Sequence, residues 1–290
     1  MPLTTRLAPA DWQAREAAHE TRVDALTAGR RERRPHGRAH PVDDFLFQYY
    51  RHSPARLRRW HPGVGVALAD AARMPRADWR WYRTVGADVV FEHTAFVSER
   101  AESIDFVRRL LSATAARPPR LRCFGLHEWA MVYRLPQEDV RHSGWPLRLG
   151  TDGTDAVVES HPIACSHFDA YRFFTPEALP RSTIQPTRED QVMLEQPGCL
   201  HAGMDLYKWA FKLSPLVPSE LTVEAFALAR EIRGLDMAAS PYDLSALGIA
   251  PVRIETPEGK ADYVAQQRAF ADRSNGLRLR LLDVLADAPP

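Results

Sequence analysis

Gln196-Pro197-Gly198-Cys199-Leu200-His201-Ala202-Gly203-Met204-Asp205-Leu206-Tyr207-Lys208-Trp209-Ala210-Phe211-Lys212-Leu213 is the stretch on which the fold reading turns. Upstream of it, Thr187 is a good N-cap with Asp190 three residues on, and the helix that starts there is interrupted by Pro197-Gly198 before continuing through Leu213. Pro215 and Pro218 stop it. His201, Asp205, Lys208 and Lys212 fall at i, i+4, i+7 and i+11, one continuous helical face, while Met204, Tyr207 and Phe211 point elsewhere. One face of this helix therefore holds acid, base and amine.

Helical signals extend outward in both directions. Pro218-Ser219 begins a long helix to about Met237, and Pro257-Glu258 begins another to about Leu285. Upstream, Leu121 to Arg134 reads as an apolar helix carrying His127 and Glu128, and Glu99 to Ala115 as an amphipathic one. Residues 8–34 form a polar helix rich in Arg and Glu, and Val42 to Tyr50 a short one with an apolar stripe. Ala55 to Trp60 is helical, stops at His61-Pro62-Gly63 and resumes from Val64 through Ala72. Strand character is confined to 79–83 and 88–92, a hairpin or bent loop about Gly86, and to the β-like pattern between Trp145 and Phe174. The chain therefore reads as α+β, predominantly helical with a small central β-sheet. Residues 1–39 are expected to be an Arg-rich helical arm and 40–290 a single domain.

With 290 residues, 45% of them hydrophobic and 26% charged, the composition excludes a disordered chain. No run approaches the roughly 18 apolar residues of a membrane helix, and no apolar leader follows the first basic residue. The expectation is a cytoplasmic protein with no membrane partner. Cys123, Cys165 and Cys199 are widely spaced with no CxxC, which points to reduced thiols. Net charge is +1, yet residues 1–150 hold 25 Arg against 17 acidic residues, and the remainder is acidic. Such asymmetry suits either a polyanion on the first half or complementary packing of the two halves. Only three lysines occur, at 208, 212 and 260, so the pair on one helix is distinctive, because lysine can lose its proton and act as base or nucleophile.

Residues Leu57 to Ala69, with the turn Pro62-Gly63-Val64-Gly65, resemble the helix-hairpin-helix of base-excision DNA glycosylases. There, Gly63 and Gly65 would let the backbone approach a phosphate, with Arg58 and Arg59 adding charge. The resemblance implies a catalytic aspartate about twenty residues on, at Asp88. Taken whole, the chain is similar to a bacterial, largely actinobacterial group customarily labelled 3-methyladenine DNA glycosylase. The stretches that carry this are His40 to Phe47, Cys123 to Met131, Ser166-His167-Phe168-Asp169 and Gln196 to Ala210.

From the residues themselves, Asp205, His201, Lys208, Glu128 and His127 are the candidate catalytic set, with His201 or Lys208 expected as the partner of the buried His127-Glu128 pair. The expected activity is hydrolysis of the N-glycosidic bond of alkylated purines in DNA, with no cofactor and no essential metal. Asp205 or Asp88 would stabilise the cationic sugar, and Trp129, Tyr207 or Trp209 would stack on the flipped base. One competing reading gathers His127, Glu128, His167, Asp169, His201 and Asp205 into an iron-type metal site for an oxidoreductase. Another is a non-enzymatic nucleic-acid-binding protein that uses the Arg-rich half.

Overall fold

Proline fixes where several helices begin, because its locked φ suits a first turn whose N–H has no partner. Pro9, Pro54 and Pro257 all stand at such positions. In the computed structural model, which describes residues 5–286, the order is β1 (Thr5–Leu7), α1 (Pro9–Arg33), α2 (Phe45–Tyr49), α3 (Pro54–Leu57), β2 (Val66–Leu68), β3 (Tyr82–Val85), β4 (Asp88–Phe91) and α4 (His93–Ala115). There follow α5 (Leu126–Ala130), α6 (Gly150–Glu159), α7 (Phe168–Tyr171), α8 (Gln191–Leu194), α9 (Leu200–Lys212), α10 (Ser219–Ala238) and α11 (Pro257–Ala286). The chain is thus α+β and predominantly helical. Residues 1–4 of the expected arm lie outside the described residues. Among those described, no helix is long and apolar enough to cross a membrane.

Two compact units divide the chain. One takes residues up to 109, 206–227 and 277 onward; the other takes 110–205 and 228–276. The first holds the four-stranded sheet, in the order β1-β2-β4-β3. β1 runs parallel to β2, with Thr5 opposite Val66, and β2 and β3 both run antiparallel to β4. The β3–β4 hairpin closes over Gly86-Ala87, with Val85 opposite Asp88, which decides between the hairpin and the bent loop that the sequence allows. α1 buries Trp12, His19, Val23 and Thr27 in this unit, where Trp12 Nε1 donates to Ala69 O at 3.0 Å. Arg76 is buried nearby, bonded to Glu16 and the Trp60 carbonyl and stacked on Trp60 and Trp79.

Three local expectations are corrected. The second helix of the expected hairpin, Val64 to Ala72, is strand β2 instead. Gly63 (φ 90°) and Gly65 (φ 75°) are both left-handed, which breaks the helical path, and Val66–Leu68 then pairs with β1. The expected strands between Trp145 and Phe174 are absent apart from isolated bridges at Leu147 and Ile163. Thr154, Val157 and Val158 bury themselves at helical spacing on α6, so packing overrides β propensity there. The Leu121 to Arg134 helix shortens to α5, because Phe124 (φ 47°) and Gly125 (φ 71°) are consecutive left-handed residues.

Gly63 also has a steric role. A Cβ there would lie 2.8 Å from Pro218 Cγ, and His61 exchanges backbone and side-chain hydrogen bonds with Ser219 beside it. Gly63→Ala is expected to lower stability by about 2 kcal/mol, from left-handed strain plus that clash, as read by urea denaturation. Gly37→Ala, also left-handed but facing open space, should cost roughly half as much.

Candidate functional site

The second unit contains a cavity of about 470 Å³, and all three cysteines converge on it together with His127, His201 and Tyr263. The exposed Arg120 and Arg122 also line it. Its rim is held by Gln196, whose Oε1 accepts the Arg120 and Gly198 amides at 2.8 and 2.7 Å. The paired left-handed residues Phe124 and Gly125 turn the chain from this rim into α5, so that Cys123 and His127 face each other. A non-glycine residue held at positive φ is strained, and such strain collects at functional sites.

From Cys123 a hydrogen-bonded relay runs inward. Cys123 Sγ lies 3.3 Å from His127 Nδ1, and His127 Nε2 lies 2.8 Å from Asp236 Oδ1 on α10. Arg233 Nη1 donates to Asp236 Oδ2 at 2.5 Å and to Glu128 Oε1 at 2.6 Å. Asp236 is fully buried and Arg233 is 1% exposed. Burial disfavours charge on His127, but Asp236 and Cys123 outweigh it and hold the imidazole pKa well above its ordinary value. For Asp236 burial is likewise overcome by His127 and Arg233, which keep the carboxyl ionised. His201 stands edge-on to His127, ring centroids 4.5 Å apart. Burial, reinforced by the neighbouring His127 charge, drives its pKa well below the ordinary value, so it stays neutral. The two imidazoles are therefore set to opposite states.

The thiols differ as well. Burial pushes Cys165 up to about 12 and Cys199 well above its usual value, keeping both protonated. Cys123 hydrogen-bonds to an imidazole that carries charge.

Of the residues singled out from sequence, His127 and His201 thus meet in the cavity. Glu128 is buried but bonded to Arg233, not to His201 or Lys208, since the guanidinium of α10 reaches it first. Asp205 is 1% exposed and lies 3.5 Å from His167, away from the cavity lining. Lys208 belongs to the other unit, where its ammonium sits 4.4 Å from the Trp209 ring centre. Asp169 pairs with Arg172. Trp129 is sealed in the core, its Nε1 donating to Ala239 O. In the first unit, Asp88 is bonded to Arg6 at 2.7 Å, and that bond lowers its pKa. Arg58 pairs with Glu20 and Asp24, Arg59 lies over Trp79, Arg30 pairs with Asp44 and Arg33 with Asp43. Much of the Arg-rich stretch is thereby neutralised within its own unit.

No family model, curated protein or solved structure matches the chain. The site's chemistry therefore rests on its own geometry. Sequence reasoning passed over Asp236, Arg233, Glu195 and the role of Cys123. A signal existed in the i, i+3 spacing of Arg233 and Asp236 within the apolar run of α10, and in the i, i+4 spacing of Cys123 and His127. Among the described residues, two buried groups could hold a metal ion: His127 with His201 and Asp236, and His167 with Glu195 and Asp205. In the first, both His127 nitrogens are already hydrogen-bonded.

Asp236→Asn would leave two buried cations without their shared anion, and a loss of about 3–5 kcal/mol is expected in chemical denaturation. The pH dependence has a definite sign. Asp236's folded pKa is depressed, so its contribution is present above 3.8; that of His127 is raised, so its contribution is complete below 6.5 and is lost as pH rises through the raised value. The gap between wild type and variant should be widest between pH 3.8 and 6.5 and narrow toward alkaline pH.

Proposed function

We propose that the chain is a cysteine-dependent enzyme that transfers or hydrolyses an acyl group of a small substrate bound in the cavity. The observation that carries this reading is the relay Cys123 Sγ, His127, Asp236, with separations of 3.3 and 2.8 Å, opening on a cavity of about 470 Å³. A nucleophile, a base within hydrogen-bond reach and a third group orienting that base are the parts that nucleophilic catalysis needs. With the Cys123 proton held on His127, the sulfur forms a bond to the substrate's carbonyl carbon, the bond to the leaving group breaks, and His127 hands that proton to the departing group. Water then gives its proton to His127 and attacks the thioester, releasing the acid and restoring the thiol. Neutral His201, with a ring N–H, is placed to donate to the developing oxyanion. Arg120 and Arg122 in the lining favour a substrate with a negative substituent.

Acetylation by p-nitrophenyl acetate, followed by intact mass and peptide mapping, tests this reading. One acetyl group per chain on Cys123 is expected, with Cys165 and Cys199 unmodified. His127→Asn should slow acetylation by about two orders of magnitude or more. Labelling of Cys165 or Cys199 in preference to Cys123, or an unchanged rate in His127→Asn, would sink it.

A second reading keeps the expected DNA N-glycosylase acting on alkylated purines, in line with the resemblance of residues 123–131 and 196–210. What supports it is the cavity: its volume accommodates one purine, Tyr263 lines it, and Arg120 and Arg122 can meet phosphate. Duplex DNA treated with a methylating agent should then release free 3-methyladenine in the presence of the protein. Full base release by Cys123→Ala, together with no thiol acylation in wild type, would place this reading first.

A further inference from the structure

Behind the cavity wall, His167 poses a separate problem. Its side chain is 1% exposed, and neither ring nitrogen has a hydrogen-bond partner. A buried imidazole in that condition costs free energy unless something else engages it. Facing its Nε2 are two carboxylates, also 1% exposed: Asp205 Oδ2 at 3.5 Å and Glu195 Oε2 at 3.9 Å. These gaps are too long for direct hydrogen bonds, whose usual length is about 2.9 Å. They suit ligands of one ion, because two atoms each roughly 2.1 Å from a tetrahedral centre stand about 3.4 Å apart. The three ligand atoms lie within 4.8 Å of one another.

We infer that His167, Glu195 and Asp205 form a binding site for a single divalent transition-metal ion. One imidazole nitrogen with two carboxylate oxygens suits zinc, manganese or ferrous iron, and the absence of a thiolate from the set argues against cuprous copper. Supporting groups are in place for Glu195: Gln191 Nε2 donates to its Oε2 at 3.1 Å, and Thr114 Oγ1 lies 3.5 Å from its Oε1. Such contacts fix a ligating carboxylate in orientation.

The location gives the ion a purpose. Each ligand is next to, or one helical turn from, a residue that lines the cavity: His167 follows Ser166, Glu195 precedes Gln196, and Asp205 lies one turn beyond His201. The His167 and His201 rings are 5.2 Å apart between centroids. An ion gripped by all three segments would pin the wall carrying Ser166, Gln196 and His201. This site is independent of the thiol relay, since Cys123 and His127 are not among its ligands.

The test is cobalt titration of the full chain after chelator treatment, read by visible absorption, bound-metal stoichiometry and melting temperature. One cobalt ion per chain is expected, with d–d bands but no thiolate charge-transfer band. At a hundredfold excess over Kd, Tm should rise by roughly 5–10 °C. Glu195→Gln and His167→Asn should each weaken binding at least about a hundredfold, and Cys123→Ser should bind as wild type does. If either ligand variant fails to fold, the stoichiometry and spectrum of wild type still decide. No bound cobalt and no Tm shift would overturn the site. A thiolate band that disappears in Cys123→Ser would overturn it too, by placing the ion in the cavity.

Discussion

A single fully buried carboxylate, Asp236, organises the second unit, because it holds two cations from opposite sides. One oxygen bonds the His127 imidazole and the other the Arg233 guanidinium, and Arg233 passes a second bond to Glu128. Alone, any of these charges would be expensive to bury, whereas linked in a chain of ion pairs each supplies the counter-charge of the next. The network fixes α5 against α10 through His127 and Glu128, adjacent residues on one short helix. It also reinforces the burial that keeps His201 neutral, since a positive imidazole 4.5 Å away discourages a second charge. The polarity of the cavity thus descends from one residue that never reaches it.

The three cysteines illustrate how environment separates identical groups. They enter the cavity from different segments, the approach to α5, the link between α6 and α7, and the turn before α9. Two are held as thiols by burial, while the third meets a charged imidazole at 3.3 Å. Composition alone treats them as three reduced thiols; position makes them one thiol hydrogen-bonded to an imidazole and two raised in pKa by burial.

Much of the helical skeleton was legible in the sequence, because proline and glycine mark its boundaries: α10 and α11 begin where Pro218-Ser219 and Pro257 place them, and α9 follows Pro197-Gly198. Alternation around Gly86 allowed a hairpin or a bent loop, and the β3–β4 pairing decides for the hairpin. What failed was decided by tertiary context. Val64 to Leu68 has no local signal that separates strand from helix, and the neighbouring β1 and β4 settle it. In α6, Val157 and Val158 look β-like until their burial alongside Thr154 is known. At the site, His127 and His201 were recognised as polar residues on apolar helices. Their partners were not, because Asp236 and Arg233 lie more than a hundred residues from His127 and Glu128, and spacing carries no information over that distance.

Neither unit is a contiguous piece of chain. Residues up to 109 share their unit with 206–227 and with the stretch from 277 onward, so α4, α9, α10 and α11 each contribute to both units. During synthesis the first unit lacks its closing segment until the last turns of α11 have left the ribosome. Trp60, whose Nε1 donates to Glu220, must wait for that acceptor through the translation of more than half the protein. Contacts this distant in sequence make folding slow and expose apolar surface to other chains meanwhile. The same threading rules out dissection: cutting at residue 109, or trimming α11, removes part of a core rather than a domain.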